Sequence, residues 1–434
     1  MKNLILISFV LVSTFLNAQI SGVNVTEVAN MPMAISNNAV TEGWANDTAY
    51  MYSFGGIDAT KIWSGINKKS FRYNTITDIW DTIPDLPNTN AVIAAGASYI
   101  DSIVYIMGGY RVLSNGNEIS SNIVNRFDPR TNTYLSDGAN IPVAIDDHVQ
   151  AVYKDSLIYL ITGWSNTGNV PNIQIYDPAN DNWLTGTPVP NNNTYKAFGA
   201  SGTIINNTIY YHGGASTSTN FPTQSNLRIG QINPNDPTLI TWTFEYTPYF
   251  TYRAACTSHV GVPFWMGGSK VTYNYNGIAY NGSGGVSPRT KIIADVGVGF
   301  FEESTPTIPL PMDLRGIASL NSVTKYIAGG MLSGQTVSNK TFLLNPYIVM
   351  SINEKNSSNS FHFYPNPTSE KVSLVFKGKE ERTISLINVI GKEVLKKNTN
   401  TANLQLDVST YPKGIYFIKV TTDKESSSKK IVIQ

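Results

Sequence analysis

The sequence predicts an all-β protein in two parts, a ring of six like units followed by a small antiparallel sandwich. Three observations carry that reading. An apolar strand ending in two glycines recurs six times along the chain. No long stretch after residue 20 has helical periodicity; Tyr, Trp, Val, Ile and Thr gather instead in short runs between Gly, Pro, Asn and Asp, the pattern of strands and turns. The charge balance also changes near the end: residues 19–348 hold 17 Lys and Arg against 22 Asp and Glu, whereas residues 361–434 hold 12 against 7. A chain of 434 residues has room for one large and one small domain.

The N-terminus, "MKNLILISFVLVSTFLNAQ", has a basic start, a short apolar run and small residues after it. It reads as a secretory signal peptide, residues 1–18, cut near Ala18; the run is too short for a membrane anchor. No other segment has the length to span a bilayer, so the mature chain is expected to be soluble. Cys256 is the one cysteine, which excludes an internal disulfide and leaves stability to burial. The mildly acidic body, net −5 over residues 19–348, argues against nucleic-acid binding, which needs a basic footprint.

The repeats are "AYMYSFGG", "DSIVYIMGGY", "DSLIYLITGW", "NNTIYYHGG", "GVPFWMGG" and "SVTKYIAGG". Their first glycines, with Thr162 standing in for the third, fall at 55, 108, 162, 213, 267 and 329. A period near fifty in an all-strand sequence is that of a β-propeller blade. Each glycine pair is expected to stop the second strand of a blade where backbones crowd near the axis. A third strand follows, as in "NRFDPRTNTY" and "IQIYDPANDNW", then a short outer strand and a proline, as in "IPDLP" and "TPVP". The sixth unit runs out after "TFLLNPY", while "VNVTEVANMPM" near the N-terminus resembles an outer strand. Residues near 23–30 are therefore expected to close the ring as the fourth strand of blade six, removing two sheet edges. On these motifs residues 20–348 resemble the kelch-repeat family, clearly in units one to three and more loosely afterwards. The resemblance implies a six-bladed kelch-type propeller over residues 19–348.

Residues 349–360, "VMSINEKNSSNS" after Ile348, read as a polar linker. Alternation and turn signals over 361–434 predict a small antiparallel β-sandwich. The phrases Tyr364-Pro365-Asn366-Pro367, Gly391 with Val394, Gly414 with Tyr416, and the terminal lysines resemble the C-terminal sorting domain of the type IX secretion system. That resemblance implies export across the outer membrane of a Gram-negative cell, with the secretion machinery as partner, and release or surface attachment afterwards. The tail aromatics Phe361, Phe363, Tyr416 and Phe417 are expected in its core rather than on a sugar-binding platform.

In kelch relatives ligands sit at the channel mouth, between the loops after the glycine pairs and the loops entering each inner strand. Mapped onto this chain, those loops carry Trp63, Tyr110, Arg111 and Trp164 in the first set, and Asp147, His148, Lys196, Arg253 and Arg315 in the second. Arg253 and Arg315 each precede their first glycine by fourteen residues, so they are expected to be equivalent and, with Lys196, to hold an anionic group. The alternative at these positions is a set of loop charges paired with one another. The four histidines lie in different units without ligand spacing, so no metal or cofactor is expected. One relative class is a copper radical oxidase with a Cys–Tyr crosslink; no Tyr-His pair accompanies Cys256 here. Two functions stay open. One is a secreted or surface propeller that binds a glycan or protein. The other is a sugar mutarotase or epimerase acting on an anionic sugar, since a six-bladed relative class interconverts sialic acid anomers by acid–base chemistry.

Overall fold

The computed structural model describes residues 19–87, 89–297, 300–349, 361–389, 391–423 and 426–434. The signal peptide with its cut at Ala18, and linker residues 350–360, lie outside them. Val349, the first expected linker residue, belongs instead to the strand Thr341–Val349. The chain divides into two compact units, one running Ala18–Met350 and another holding Ser351–Gln434.

Among the described residues of the first unit, six sheets each contain a four-stranded antiparallel meander. Five are built from consecutive strands; the third, for example, is Val149–Tyr153, Leu157–Ile161, Ile173–Asp177 and Asn182–Gly186. The sixth takes Ala318–Ser319, Lys325–Ala328 and Thr341–Val349 from the end of the unit, and its outer strand is Gln19–Val28. That pairing runs antiparallel from Gln19 opposite Val349 to Val28 opposite Thr341.

Alternating strand residues present an apolar face on each side of a sheet, and neighbouring sheets cover both. Tyr52, Phe54, Val104 and Phe127 fill the seam between blades one and two. Tyr105, Met107, Leu160 and Tyr176 fill the next. Val23 and Val25 of the N-terminal strand join Phe264, Ile327 and Leu344 between blades five and six.

The glycine pairs serve the joint between blades. Gly108 has φ +68°, and a Cβ there would run into the carbonyl oxygen of Ile145 in the next blade. The second glycine then donates its N–H to the same oxygen, Gly109 to Ile145 at 3.0 Å. Gly214 to Thr251, Gly268 to Pro311 and Gly330 to Ile35 repeat the bond at 2.8, 3.1 and 3.0 Å. A side chain at the first position would wedge the blades apart. In blade three Thr162 solves the joint differently: its Oγ1 accepts from the Ala197 N–H at 3.2 Å and donates to the Val170 carbonyl at 2.8 Å.

Two residues beyond each of these carbonyls the chain turns into the inner strand. The turning residues are Asn37, Ala94, Asp147, Gly199, Arg253 and Asp313, all left-handed with φ between +47° and +65°. Their backbones form a closed ring. Ala94 N–H donates to Asn37, Asp147 to Ala94, Gly199 to Asp147 and Arg253 to Gly199, at 3.3, 3.2, 2.8 and 2.8 Å. Leu314 donates to Arg253 at 3.0 Å, and Asn37 to Asp313 at 3.2 Å, completing the circuit.

The second unit is a sandwich of two sheets. One orders Phe361–Tyr364, Lys371–Phe376 and Asn403–Asp407; the other orders Glu393–Thr399, Arg382–Asn388, Gly414–Thr421 and Ser426–Ile433. Phe361, Leu374, Leu386, Tyr416, Ile418 and Ile431 are buried between them. Phe417 is 40 % exposed, against expectation, because neighbours in a strand face opposite ways and Tyr416 takes the core side. The Asn366 side chain clamps the last strand, donating to the Lys430 carbonyl and accepting from the Val432 N–H at 3.1 and 2.9 Å. Gly391, with φ +82°, closes a turn by donating to the Asn388 carbonyl, and Gly414 opens the strand that carries Tyr416.

Candidate functional site

The ring of turning residues brings charge to the axis. Arg253 is 1 % exposed and sits between two carboxylates. Its Nε and Nη2 donate to Asp147 Oδ1 and Oδ2 at 3.1 and 2.5 Å, and its Nη1 donates to Asp313 Oδ1 at 3.0 Å. Asp313 also accepts from Ser36 Oγ at 2.6 Å. The Tyr252 and Tyr273 rings flank the guanidinium at 5.1 and 5.7 Å. Burial raises the pKa of Asp313, partly offset by Arg253.

This geometry corrects the expected equivalence of Arg253 with Arg315. The counterpart of Arg253 is Asp313. The loop from turning residue to glycine has fourteen residues in blades two, four and five, fifteen in three and sixteen in six, so a constant spacing lands two residues late. Arg315 instead runs beneath the ring. Its Nη2 donates to the His148 carbonyl at 2.7 Å, and its Nη1 stands 3.7 Å from Asp147 Oδ1. Arg253 has no free guanidinium edge for an anionic ligand, whereas the Nε of Arg315 is buried without a hydrogen-bond partner among the described residues.

Above the ring lies a cavity of about 90 Å³ lined by Tyr110, Glu118, Asp146, Asp147, Trp164, Phe198, Phe221, Arg253 and Tyr280. Four of the expected residues meet there: Tyr110, Asp147, Trp164 and Arg253. The aromatic wall is continuous. Trp164 meets Phe198 and Phe221 edge-on at 5.3 and 5.8 Å, and Phe221 meets Tyr280 at 4.9 Å. Asp146 is 3 % exposed and accepts from Ser120 Oγ at 2.6 Å. Its backbone exchanges two hydrogen bonds with Trp164, both 2.9 Å, which ties carboxyl and indole together. Burial, reinforced by Asp147, holds the Asp146 pKa well above the usual carboxylate range. Glu118, on the exposed rim, is raised by desolvation, with Arg253 opposing.

The other expected residues lie elsewhere. His148 points to the opposite side of the ring from Asp147 and lines the central channel of about 240 Å³ with Arg315, Gln150, Glu42 and Cys256. Burial and Arg315 push its pKa down to about 3, and its Nε2 pairs with Gln150 Oε1 at 3.1 Å. Trp63 and Arg111 line a separate open groove with Asn90. Lys196 is half-buried and lines neither axial cavity. Among the described residues no cluster of His, Cys, Asp or Glu could hold a metal ion, and no helix is long and apolar enough to cross a membrane.

Sequence reasoning missed Glu118, Asp146, Phe198, Phe221, Tyr280 and Asp313. Asp146 was within reach, since "IDDH" places it beside a turning residue. Glu118 opens the short strand Glu118–Ser120, and Phe221 and Tyr280 lie in loops; these stretches after the glycine pairs differ in length, so the repeat spacing carries no signal for them.

Comparison with known proteins agrees with both halves. Residues 362–434 match the family described as the secretion system C-terminal sorting domain. The propeller is similar to Kelch-like protein terF of Aspergillus terreus, 26 % identical over 38 % of this chain and 36 % of that protein. It is also similar to human Kelch-like protein 15, 29 % identical over 27 % of this chain and 19 % of that protein. The chain thus spans about a third or less of these relatives. The solved structure of YjhT superposes with a TM-score of 0.57 at 14 % identity, covering 75 % of this chain and 98 % of that one. The protein is a kelch-type β-propeller joined to a C-terminal sorting domain of the type IX secretion system.

Proposed function

We propose that this is a secreted or surface-attached sugar-binding propeller whose ligand occupies the cavity above the ring. The sorting domain implies secretion or cell-surface attachment. The observation that carries the binding reading is the pairing of an aromatic wall with convergent carboxyls in one small concavity. Trp164, Phe221 and Tyr280 are each partly exposed to it. Sugars present apolar C–H faces to such rings and hydroxyls to such carboxylates, and few precisely aimed polar groups set specificity. The test is a glycan array probed with the full mature chain and with Trp164→Ala. Retention of defined glycans by the wild type and their loss in the variant supports the reading; a blank array or an unchanged pattern contradicts it.

A second reading, a sugar mutarotase or epimerase, draws on the same place. Asp146, whose carboxyl is driven toward the protonated form, adjoins Asp147, which is ion-paired to Arg253. Two carboxyls in unlike environments are the arrangement an acid and a base require. Accelerated exchange between anomers of a reducing sugar, followed by NMR and lost in Asp146→Asn, distinguishes this reading from binding alone.

A further inference from the structure

We infer that the group recognised in the axial cavity is a protonated amine on the sugar ligand, held between Asp146, Glu118 and the rings of Trp164, Phe221 and Tyr280. This rests on the sugar-binding reading above and narrows it to amino sugars.

Charge points first to the amine. The cavity holds three carboxyls, Glu118, Asp146 and Asp147, against one guanidinium. That guanidinium is taken up by Asp147 and Asp313, and Arg315 faces the channel side. Neither Glu118 nor Asp146 forms an ion pair among the described residues, although the Arg253 charge acts on both. An anionic sugar would oppose the ionised form of either.

The unused bonding capacity of Asp146 points the same way. One oxygen accepts from Ser120 Oγ. The other makes no hydrogen bond among the described residues, although the side chain is 3 % exposed and lines the cavity. That oxygen is not sealed from solvent but opens onto the cavity, where a bound group can reach it. An ammonium group supplies both the donor and the charge.

The aromatic wall is the third observation. Indole and phenol faces attract a cation placed over them, most strongly when it is desolvated. A cavity of about 90 Å³ admits the amine-bearing edge of one sugar ring. Its polar rim, Glu118 beside the Tyr110 backbone strand, suits a hydroxylated ring better than the methylene stem of a lysine side chain.

A proton linkage follows. The charged groups facing Asp146 are Asp147, Glu118, Arg253 and Arg315. In the empty cavity burial and Asp147 favour its neutral form; an ammonium favours its ionised form. Binding therefore expels the Asp146 proton, and affinity rises with pH until the amine itself deprotonates.

The test is titration calorimetry on the full mature chain with a β-1,4-linked glucosamine trisaccharide and with its N-acetylated counterpart, at pH 5.5 and 6.5. The amine is expected to bind at least about tenfold tighter than the acetamide, and tighter at the higher pH. Glu118→Gln, on the exposed rim, is expected to weaken the amine about tenfold and the acetamide by much less. Asp146→Asn, which keeps an acceptor for Ser120, should reduce the pH dependence to the part that Glu118 contributes. Equal or tighter binding of the acetamide overturns the inference but leaves the sugar-binding reading standing. Binding of neither sugar overturns the inference, and overturns the sugar-binding reading as well only if the glycan array is also blank.

Discussion

Arg253 Nη2 lies 2.5 Å from Asp147 Oδ2, and its Nε lies 3.1 Å from Asp147 Oδ1, although 106 residues separate the two in sequence. Both are turning residues of the axial ring, two blades apart, with Gly199 between them in the backbone circuit. A Cβ at Gly199 would run into the Tyr252 ring, so the glycine makes room for the ring that packs on the Arg253 guanidinium. Asp313, in the next blade, takes the remaining face of the guanidinium. One buried cation thus ties three blades at the axis.

Removing that cation should destabilise the propeller. Arg253→Met leaves Asp147 and Asp313 buried without it, at a cost of about 3–5 kcal/mol. For a unit of this size the melting temperature should fall by roughly 10 °C in calorimetry. Adding Asp147→Asn and Asp313→Asn should recover much of the loss, because the neutral side chains need no counter-charge. A single variant that melts like the wild type would show that the ring does not depend on the ion pairs.

Acid should weaken the fold through its buried histidines. His212 is fully buried against Trp265 and bonds Thr247 Oγ1 at 3.0 Å; burial, with Arg228 and Arg289, pushes its pKa down to about 3. The unfolded chain takes up that proton near pH 6.5, so the stability owed to neutral His212 is present above about 6.5 and is lost as pH falls toward 3. Asp146, Glu118 and Asp313, whose pKa values are raised, act with opposite sign, which makes the variant difference the quantity to measure. The gap in unfolding free energy between wild type and His212→Gln should narrow by about 1.4 kcal/mol per pH unit below 6.5. Urea melts at pH 7, 6 and 5 check it, and a constant gap would contradict it.

Export should depend on the second unit. Deleting residues 361–434 leaves the sheets of Ala18–Met350 intact in composition but removes the matched sorting domain. Cell fractionation should find the truncated chain behind the outer membrane and the full chain beyond it. Normal export of the truncated chain would refute the role assigned to the tail.

Much of the fold was legible because one steric demand recurs. In five of the six blades a carbonyl such as Ile145 O stands where a Cβ would be, and glycine is written into the sequence at that point; Thr162 takes the place in the third. The N-terminal strand was legible for a similar reason: an unpartnered edge at Thr341–Val349 needs an outer strand, and Gln19–Val28 lies along it. The site was less legible. Spacing located Asp147 and Arg253 but missed Asp313, because blade six has two more residues before its glycine. Spacing also carried no information on which side of the ring a side chain faces, so His148 and Asp147 were grouped although they part company at the axis. The aromatic wall draws Phe221 and Tyr280 from the stretches after the glycine pairs of blades four and five, whose lengths differ from blade to blade.

The most direct measurement of the central claim is intrinsic fluorescence during titration with a glycan retained on the array, for wild type and Trp164→Phe. Trp164 lines the axial cavity, and phenylalanine preserves an aromatic face there. The account predicts a saturable change in wild-type emission that disappears in the variant, while calorimetry shows the variant still binding. An undiminished emission change in Trp164→Phe would place the ligand elsewhere on the propeller and contradict the account.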